Sequence, residues 1–241
     1  MVSVMTVTQE KRHPILRLLL KCIQHQTRKP DEWVITEGSK TFEEAERNAV
    51  LIEQLKQECD IPIVYVPYQP GSKLGGLRNR GNRACRGEIT VVMDDDDYYP
   101  PKRIEHVLEM FEKHPTKDLA GCSAIFIHDY STLQFYQCKG FHDKHATNST
   151  LAWRKRYLLT HQHDETKQTG EEWSFTEGFT TPMIQLLPGF TVVLASHTMN
   201  TFDKQDVLKN PSFVALKFII MPKIMKEALY REYLAAFRQL G

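Results

Sequence analysis

Gly87-Glu88-Ile89-Thr90-Val91-Val92-Met93-Asp94-Asp95-Asp96-Asp97-Tyr98-Tyr99-Pro100-Pro101 passes from a short apolar run into four carboxylates and then two prolines. The run from Ile89 to Met93 reads as a strand buried on both faces. Four adjacent carboxylates at the end of such a strand repel one another, and a low dielectric strengthens the repulsion. A divalent cation offsets that charge economically. All-oxygen ligation favours Mg²⁺ or Mn²⁺ over zinc and leaves coordination positions open for the oxygens of a diphosphate. The competing reading is a solvated turn, in which Asp97 caps the helix that follows and the other acids face water.

Outward from this strand the chain alternates. Residues 2–8 read as a β-branched strand, and Pro14 to His25 carries Ile15, Leu18, Leu19, Cys22 and Ile23 at helical spacing. Trp33 to Thr36 is a second strand. Phe42 to Cys59 is a charged helix with Ala45, Ala49, Ile52 and Leu55 on one face, and Ile61 to Val66 is a third strand. Pro67, Pro70 and Gly71 mark the next loop, and Leu74 to Arg86 reads as a helix rich in arginine and glycine. A helix from Pro101 to Lys113 follows the acid run, then strands at Leu119 to His128 and Leu133 to Cys138. From Pro211 onward the spacing predicts helices. Alternating strands and helices imply right-handed crossovers and a mostly parallel α/β sheet, with ligands bound at the carboxyl ends of the strands. A nucleotide-binding half, about 1–115, and an acceptor-binding half, about 116–241, are expected to share one continuous sheet within a single domain.

Composition narrows the classes of function. The 241 residues are 41% hydrophobic and 25% charged, with 31 Lys+Arg against 30 Asp+Glu and a net charge of +1. That balance fits neither a disordered chain nor a charged tail, and it leaves no electrostatic footprint for nucleic acid. The five cysteines, Cys22, Cys59, Cys85, Cys122 and Cys138, contain no CxxC pair and predict neither a disulfide framework nor a zinc knuckle. No apolar run approaches the ~20 residues of a membrane span, and the first residues lack the pattern of a secretory leader. The expected address is cytoplasmic.

The acid run with its flanks resembles the DxD region of nucleotide-sugar glycosyltransferases of the GT-A fold, particularly glycosyltransferase family 2. Leu77-Arg78-Asn79-Arg80-Gly81-Asn82 resembles that family's arginine-asparagine-glycine helix, and Trp33 to Ser39 its second strand with the acidic turn after it. The resemblance implies a GT-A, Rossmann-like sheet, a nucleotide-sugar donor and a Mn²⁺ or Mg²⁺ ion. It makes Asp96 the direct metal ligand, Asp95 a contact to the donor ribose or a support for the metal, and Asp94 the first acid of the motif; the four-acid run leaves the register ambiguous by one. Glu37 would accept from the nucleobase with Thr6 and Thr8 beside it, although an aspartate pair is common where this chain has Glu37-Gly38-Ser39. Arg78 would reach the base or the diphosphate, its fork geometry suiting paired acceptors. An exposed helix arginine is the alternative.

Further along, Gly170-Glu171-Glu172-Trp173 resembles the family's acidic pair near a helix start. The resemblance makes Glu172 the general base with Glu171 as its understudy, while two acids at a helix N-terminus also have an ordinary dipole-complementing explanation. Lys144 to Thr150 is similar to the loop under the donor sugar, where Asn148 would bind sugar hydroxyls or serve as a turn residue. Trp153 and Trp173 read either as core or as stacking faces for a sugar. His161 and His163 read as a solvated loop. His197, after an apolar strand, resembles the late histidine that completes the metal shell, with a turn histidine as the alternative.

These readings converge on a metal-dependent, inverting transfer of a sugar from a nucleoside diphosphate, UDP foremost, to an acceptor hydroxyl on a glycan. A catalytically idle sugar-nucleotide or glycan-binding module is the alternative. A sugar nucleotidyltransferase fits less well, because Gln9 to Pro14 lacks the glycines of a triphosphate loop.

Overall fold

The computed structural model describes residues 1–198, 200, 208, 213–216 and 227–240. The alternation seen in the sequence is present through the first hundred residues. β1 (Val2–Thr8) leads to α1 (His13–Gln24), β2 (Glu32–Glu37) to α2 (Phe42–Glu58), β3 (Ile63–Val66) to α3 (Leu74–Ala84), and β4 (Ile89–Val92) to α4 (Arg103–Lys113). Pro14 sits in the first turn of α1, where a missing N–H costs nothing. A capping box starts α2: Thr41 Oγ1 accepts from the Glu44 N–H at 3.2 Å while Glu44 Oε2 accepts from the Thr41 N–H at 3.2 Å.

The second half contributes β5 (Leu119–Gly121), β6 (Ile125–Asp129), β7 (Gln134–Cys138), β8 (Ala152–Arg154), a one-turn α5 (Glu172–Phe175), β9 (Ile184–Gln185), β10 (Val193–Ser196), β11 (Phe213–Leu216) and α6 (Glu227–Leu240). Seven strands form the main sheet in the order β3-β2-β1-β4-β8-β5-β9. β1 to β4 pair in parallel, and β8 runs antiparallel to both β4 and β5. The main sheet thus joins both halves of the chain, but it is not the whole of the β structure. β10-β6-β7-β11 form a second, four-stranded sheet.

The strand expected from Leu119 to His128 is accordingly two strands in two sheets. Its break follows Gly121, where a Cβ would lie 2.5 Å from the Ala146 side chain; the chain passes under the 146–151 loop and changes sheet there. Helices expected from Pro211 onward are partly replaced: Phe213–Leu216 is β11, antiparallel to β7, and α6 is the helix described beyond it. Residues 211, 212 and 217–226 lie outside the described residues.

α6 returns to the acid run. Tyr233 donates to the Asp97 carbonyl at 3.0 Å, lies 3.4 Å from the Cys22 sulfur and sets its ring edge-on to Tyr98 at 5.9 Å. No helix among the described residues is long and apolar enough to cross a membrane.

Two histidines are sealed in this framework. His128 stacks on Phe135 with centroids 4.0 Å apart, and His163 stacks on Phe175 at 4.1 Å; neither ring has a hydrogen-bond partner among the described residues. The solvated loop expected at His163 is therefore corrected: its ring belongs to the core with Trp153 and Phe175. Burial lowers the His128 pKa to about 3 and holds His163 well below the ordinary imidazole range. Below about pH 6.5 the unfolded chain takes protons that the native rings refuse, so stability falls with falling pH. Thermal unfolding is expected to show a lower midpoint at about pH 5 than at pH 7, with a shallower dependence in His128→Phe.

Candidate functional site

The acid run emerges just past β4, at the carboxyl end of the parallel strands, where alternation of the chain sends successive carboxylates to different partners. Asp94 Oδ1 accepts from Arg78 Nη1 at 2.8 Å, and the Asp94 N–H donates to the Tyr99 hydroxyl oxygen at 2.6 Å. Asp95 is fully buried; its Oδ2 accepts from Thr8 Oγ1 at 2.8 Å and its Oδ1 from Arg12 Nη1 at 2.5 Å. Asp96 Oδ2 meets His197 Nε2 at 3.1 Å, accepts from Asn200 Nδ2 at 3.1 Å and lies 3.3 Å from Arg12 Nη1. Asp97 Oδ1 accepts from the Ala195 N–H at 2.9 Å.

A solvated turn does not describe this arrangement. Asp97 fastens β10 rather than capping the next helix, and Asp95, Asp96 and Asp97 are all buried. The mutual repulsion inferred from the sequence is offset in part by protein: burial raises the Asp95 pKa, with Asp96 adding to the rise and the Arg12 guanidinium opposing it. Asp95 has both oxygens engaged inside the protein, so the structure does not turn it toward an open donor face.

Arg78 is the hub of the site. α3 brings its buried guanidinium between three segments remote in sequence. Nη1 donates to Asp94, Nε donates to Glu171 Oε1 at 3.0 Å, and the Asn148 amide oxygen accepts from Nη2 at 2.7 Å, the orientation required because a guanidinium offers only donors. The alternative of an exposed helix arginine is thus excluded. Asp94, Asn148 and Glu171, each singled out by sequence, converge on one cation.

The two glutamates divide by environment. Glu171 is 3% exposed and fixed by Arg78. Glu172, the first residue of α5, is half-buried, and its pKa is pushed up to about 7, chiefly by burial, then by the neighbouring charge of Glu171. A carboxyl poised near neutrality beside a fixed carboxylate has the property a general base needs.

Thr6 and Glu37 sit deeper than expected. Thr6 Oγ1 donates to the Met93 carbonyl at 2.7 Å and accepts from Trp33 Nε1 at 2.9 Å, tying β1 to β4 inside the sheet. Fully buried Glu37 accepts from the Ser39 N–H at 2.7 Å, from Asn48 Nδ2 at 2.6 Å and from the Tyr65 hydroxyl at 2.7 Å. Both act in this structure as braces at the end of β1 and β2; after Glu37 a glycine leaves room for Leu77, whose Cδ1 would lie 2.8 Å from a Cβ on Gly38. Thr8 likewise braces Asp95. Trp153 belongs to the core, while Trp173 is on the surface.

Sequence reading missed Arg12 and Asn200. Arg12 lies just beyond the carboxyl end of β1, where the fold class itself places ligands, and that position was the available signal. Asn200 is three residues after His197; its Oδ1 accepts from the His197 N–H at 2.8 Å, which closes the turn holding the imidazole over Asp96.

Asp96 and His197 suit a divalent ion. A carboxylate oxygen and an imidazole nitrogen 3.1 Å apart make a two-donor set, better matched to Mn²⁺ than to Mg²⁺, which takes oxygen almost alone. No three His, Cys, Asp or Glu side chains form a metal cage among the described residues.

Comparison with known proteins places the family and the fold. Residues 3–179 match the family described as Glycosyl transferase family 2. The chain is similar to the uncharacterized glycosyltransferase MJ1057 of Methanocaldococcus jannaschii, 23% identical over 186 residues that make up 73% of this chain and 63% of that protein. The chain thus spans under two-thirds of that relative's length. Its fold is that of S. aureus TarS 1–349 in complex with UDP-GlcNAc, with a TM-score of 0.57 at 14% identity over 99% of this chain and 72% of that one. It is also that of the mannosyltransferase PcManGT from Pyrobaculum calidifontis in complex with GDP-Man and Mn²⁺, with a TM-score of 0.57 at 15% identity over 83% of this chain and 58% of that one.

Proposed function

The chain belongs to glycosyltransferase family 2, and from that premise we propose that it moves a sugar from a nucleoside-diphosphate sugar to an acceptor hydroxyl with inversion at the anomeric carbon. The observation that carries this reading is Glu172, a carboxylate brought to a pKa of about 7 next to the Arg78-Asp94-Glu171 cluster. Glu172 accepts the proton of the acceptor hydroxyl as that oxygen attacks the anomeric carbon. The bond from that carbon to the diphosphate oxygen breaks, and its electron pair leaves with the nucleoside diphosphate. One displacement from the face opposite the leaving group inverts the configuration.

Glu171, fixed by Arg78, keeps Glu172 basic enough to take a proton near neutral pH. Arg78 holds Asp94 and Asn148 in one arrangement at the donor side, and Asp95 with Arg12 supports the acid run from behind. Asp96 and His197 would hold Mn²⁺ or Mg²⁺; when bound, the ion supplies Lewis-acid stabilisation to the departing diphosphate. A uridine nucleotide is the favoured donor and a glycan the favoured acceptor. The TarS complex with UDP-GlcNAc and the PcManGT complex with GDP-Man and Mn²⁺ support a nucleotide-sugar donor and a divalent ion on this fold.

A thermal-shift and donor-hydrolysis panel tests the proposal, using UDP-, GDP- and TDP-sugars with Mn²⁺, Mg²⁺ or chelator. One nucleotide family with Mn²⁺ is expected to stabilise the protein by about 2.7 kcal/mol at roughly 100 times its Kd, which is about 5–10 °C in Tm for a chain of this size. Chelator should remove most of that shift. Equal, negligible shifts with every nucleotide, with or without metal, would reject the donor reading.

A further inference from the structure

Sugar transfer as described leaves a row of aromatic side chains without a task. Trp173 follows Glu172 on α5 and is 60% exposed, whereas Trp33 and Trp153 are fully buried. Its indole meets Phe179 edge-on, centroids 5.5 Å apart. Phe179 lies 4.7 Å from His145, and His145 lies 4.7 Å from Phe141, itself 56% exposed. Past Phe141 opens a cleft of about 330 Å³ whose walls include Ser123, Lys139, His142 and Gln185.

The backbone beneath Trp173 is unusual. Glu177, Gly178 and Phe179 are all left-handed, with φ of 51°, 68° and 60°. The two non-glycine residues each bear the steric cost of a Cβ held against the following carbonyl oxygen. The turn brings the Gly178 N–H to the Trp173 carbonyl at 2.7 Å, and a Cβ on Gly178 would lie 3.1 Å from the indole Cζ2. Glycine lets the indole rest against the chain and keeps the rest of its surface open; the same turn seats Phe179 against its edge.

Two members of the row adjoin the proposed catalytic centre in sequence. His145 is three residues before Asn148, and Trp173 is next to Glu172; Asn148 and Glu171 meet on Arg78. From this continuity we infer that the row is the acceptor track, binding an oligosaccharide whose sugar rings lay their C–H faces on the exposed rings of Trp173 and Phe141, while Phe179 and His145 pack edge-on or tilted between them and hold the two in place. The cleft beyond Phe141, with Ser123, Lys139 and Gln185 in its walls, supplies partners for its hydroxyls. The electron-rich face of an indole suits the weakly positive C–H face of a pyranose. A protein partner would call for a patch depleted in charge, whereas this row ends among lysine and histidine. The inference rests on Glu172 as the base, since that residue fixes which end of the track delivers the hydroxyl.

Trp173 makes the whole chain its own probe, because acrylamide quenching of tryptophan fluorescence reports chiefly on the one exposed indole of three. Cellotriose, maltotriose and chitotriose are titrated, with methyl β-glucopyranoside as a single ring and ribitol as a ringless control. At least one trisaccharide is expected to protect Trp173 and to bind about tenfold more tightly than the single ring, or about 1.4 kcal/mol. Phe141→Ala should shrink that advantage. Trp173→Ala should abolish saturation-transfer NMR signals from the same trisaccharide while keeping the nucleotide and Mn²⁺ thermal shift, which shows that the variant is folded. Absence of protection by every trisaccharide, or equal protection by ribitol, overturns the inference. So does a Trp173→Ala variant that still binds the trisaccharide. The base reading fails separately, through Glu172→Gln retaining transfer while the track still binds.

Discussion

Glu172→Gln is expected to lower kcat for transfer by about 10²–10⁴, the range associated with loss of a positioned general base, with nucleotide affinity nearly unchanged. The amide keeps the size and most of the polarity of the side chain but cannot take the acceptor's proton. The pH dependence supplies an independent readout. With Glu172 at about 7, kcat should fall on the acid side of neutrality as the carboxylate becomes protonated. Glu171→Gln removes a like charge that raises the Glu172 pKa, so the acid limb should move to lower pH. Stability should move the other way from activity. A carboxyl with a raised native pKa loses stability as pH rises from about 4.5 to about 7, because the unfolded chain ionises first. Glu172→Gln should therefore raise the Tm at pH 8 relative to wild type while transfer is lost. Steady-state kinetics and thermal melts on the same samples check both; near-wild-type kcat in Glu172→Gln would remove Glu172 from the mechanism.

The first half of the fold was legible because helices of 11–17 residues show their own period there and mark off the strands between them, even where a strand has only 4 residues. The later strands are two to five residues long, too short for alternation to be distinctive. Nothing local to Leu119–His128 announces that residues 122–124 leave the main sheet; that departure depends on Gly121 passing Ala146, a contact between segments twenty-five positions apart. The candidate site was legible in a similar, partial way. Residue types identified Asp94, Asp96, Arg78, Asn148, Glu171, Glu172 and His197, and these do gather at the carboxyl edge. Direction within the acid run was not legible, because four identical residues carry no mark of which one faces inward. Only the partners, Thr8 and Arg12 for Asp95 and Ala195 for Asp97, set the register. The depth of Thr6 and Glu37 was not legible for a related reason: a polar residue at a strand end reads the same whether it meets a ligand or the neighbouring strands that it braces here.

Arg78→Met is expected to be the most destabilising single change at the site. The guanidinium has Asp94, Glu171 and Asn148 as acceptors and is almost fully enclosed, so its loss leaves one buried and one half-buried carboxylate without their cation. Removing one partner of a buried ion pair typically costs about 3–5 kcal/mol, which corresponds to a drop of roughly 6–20 °C in Tm at this chain length. Arg78→Lys should recover only part of this, since a point charge cannot serve acceptors arranged around a planar fork. The decisive variant is the triple Arg78→Met, Asp94→Asn, Glu171→Gln. Because it removes the charges together, the cost of stranding them disappears, and Tm should rise well above that of Arg78→Met alone. Transfer should remain absent in the triple variant, since the donor side is no longer arranged and Glu172 has lost the neighbour that lifts its pKa. Restored stability without restored turnover would identify Arg78 as a positioning residue whose charge is needed for the geometry of the site. A Tm unchanged in Arg78→Met would show instead that Asp94 and Glu171 find water or another cation, and that the three segments do not depend on the guanidinium to meet.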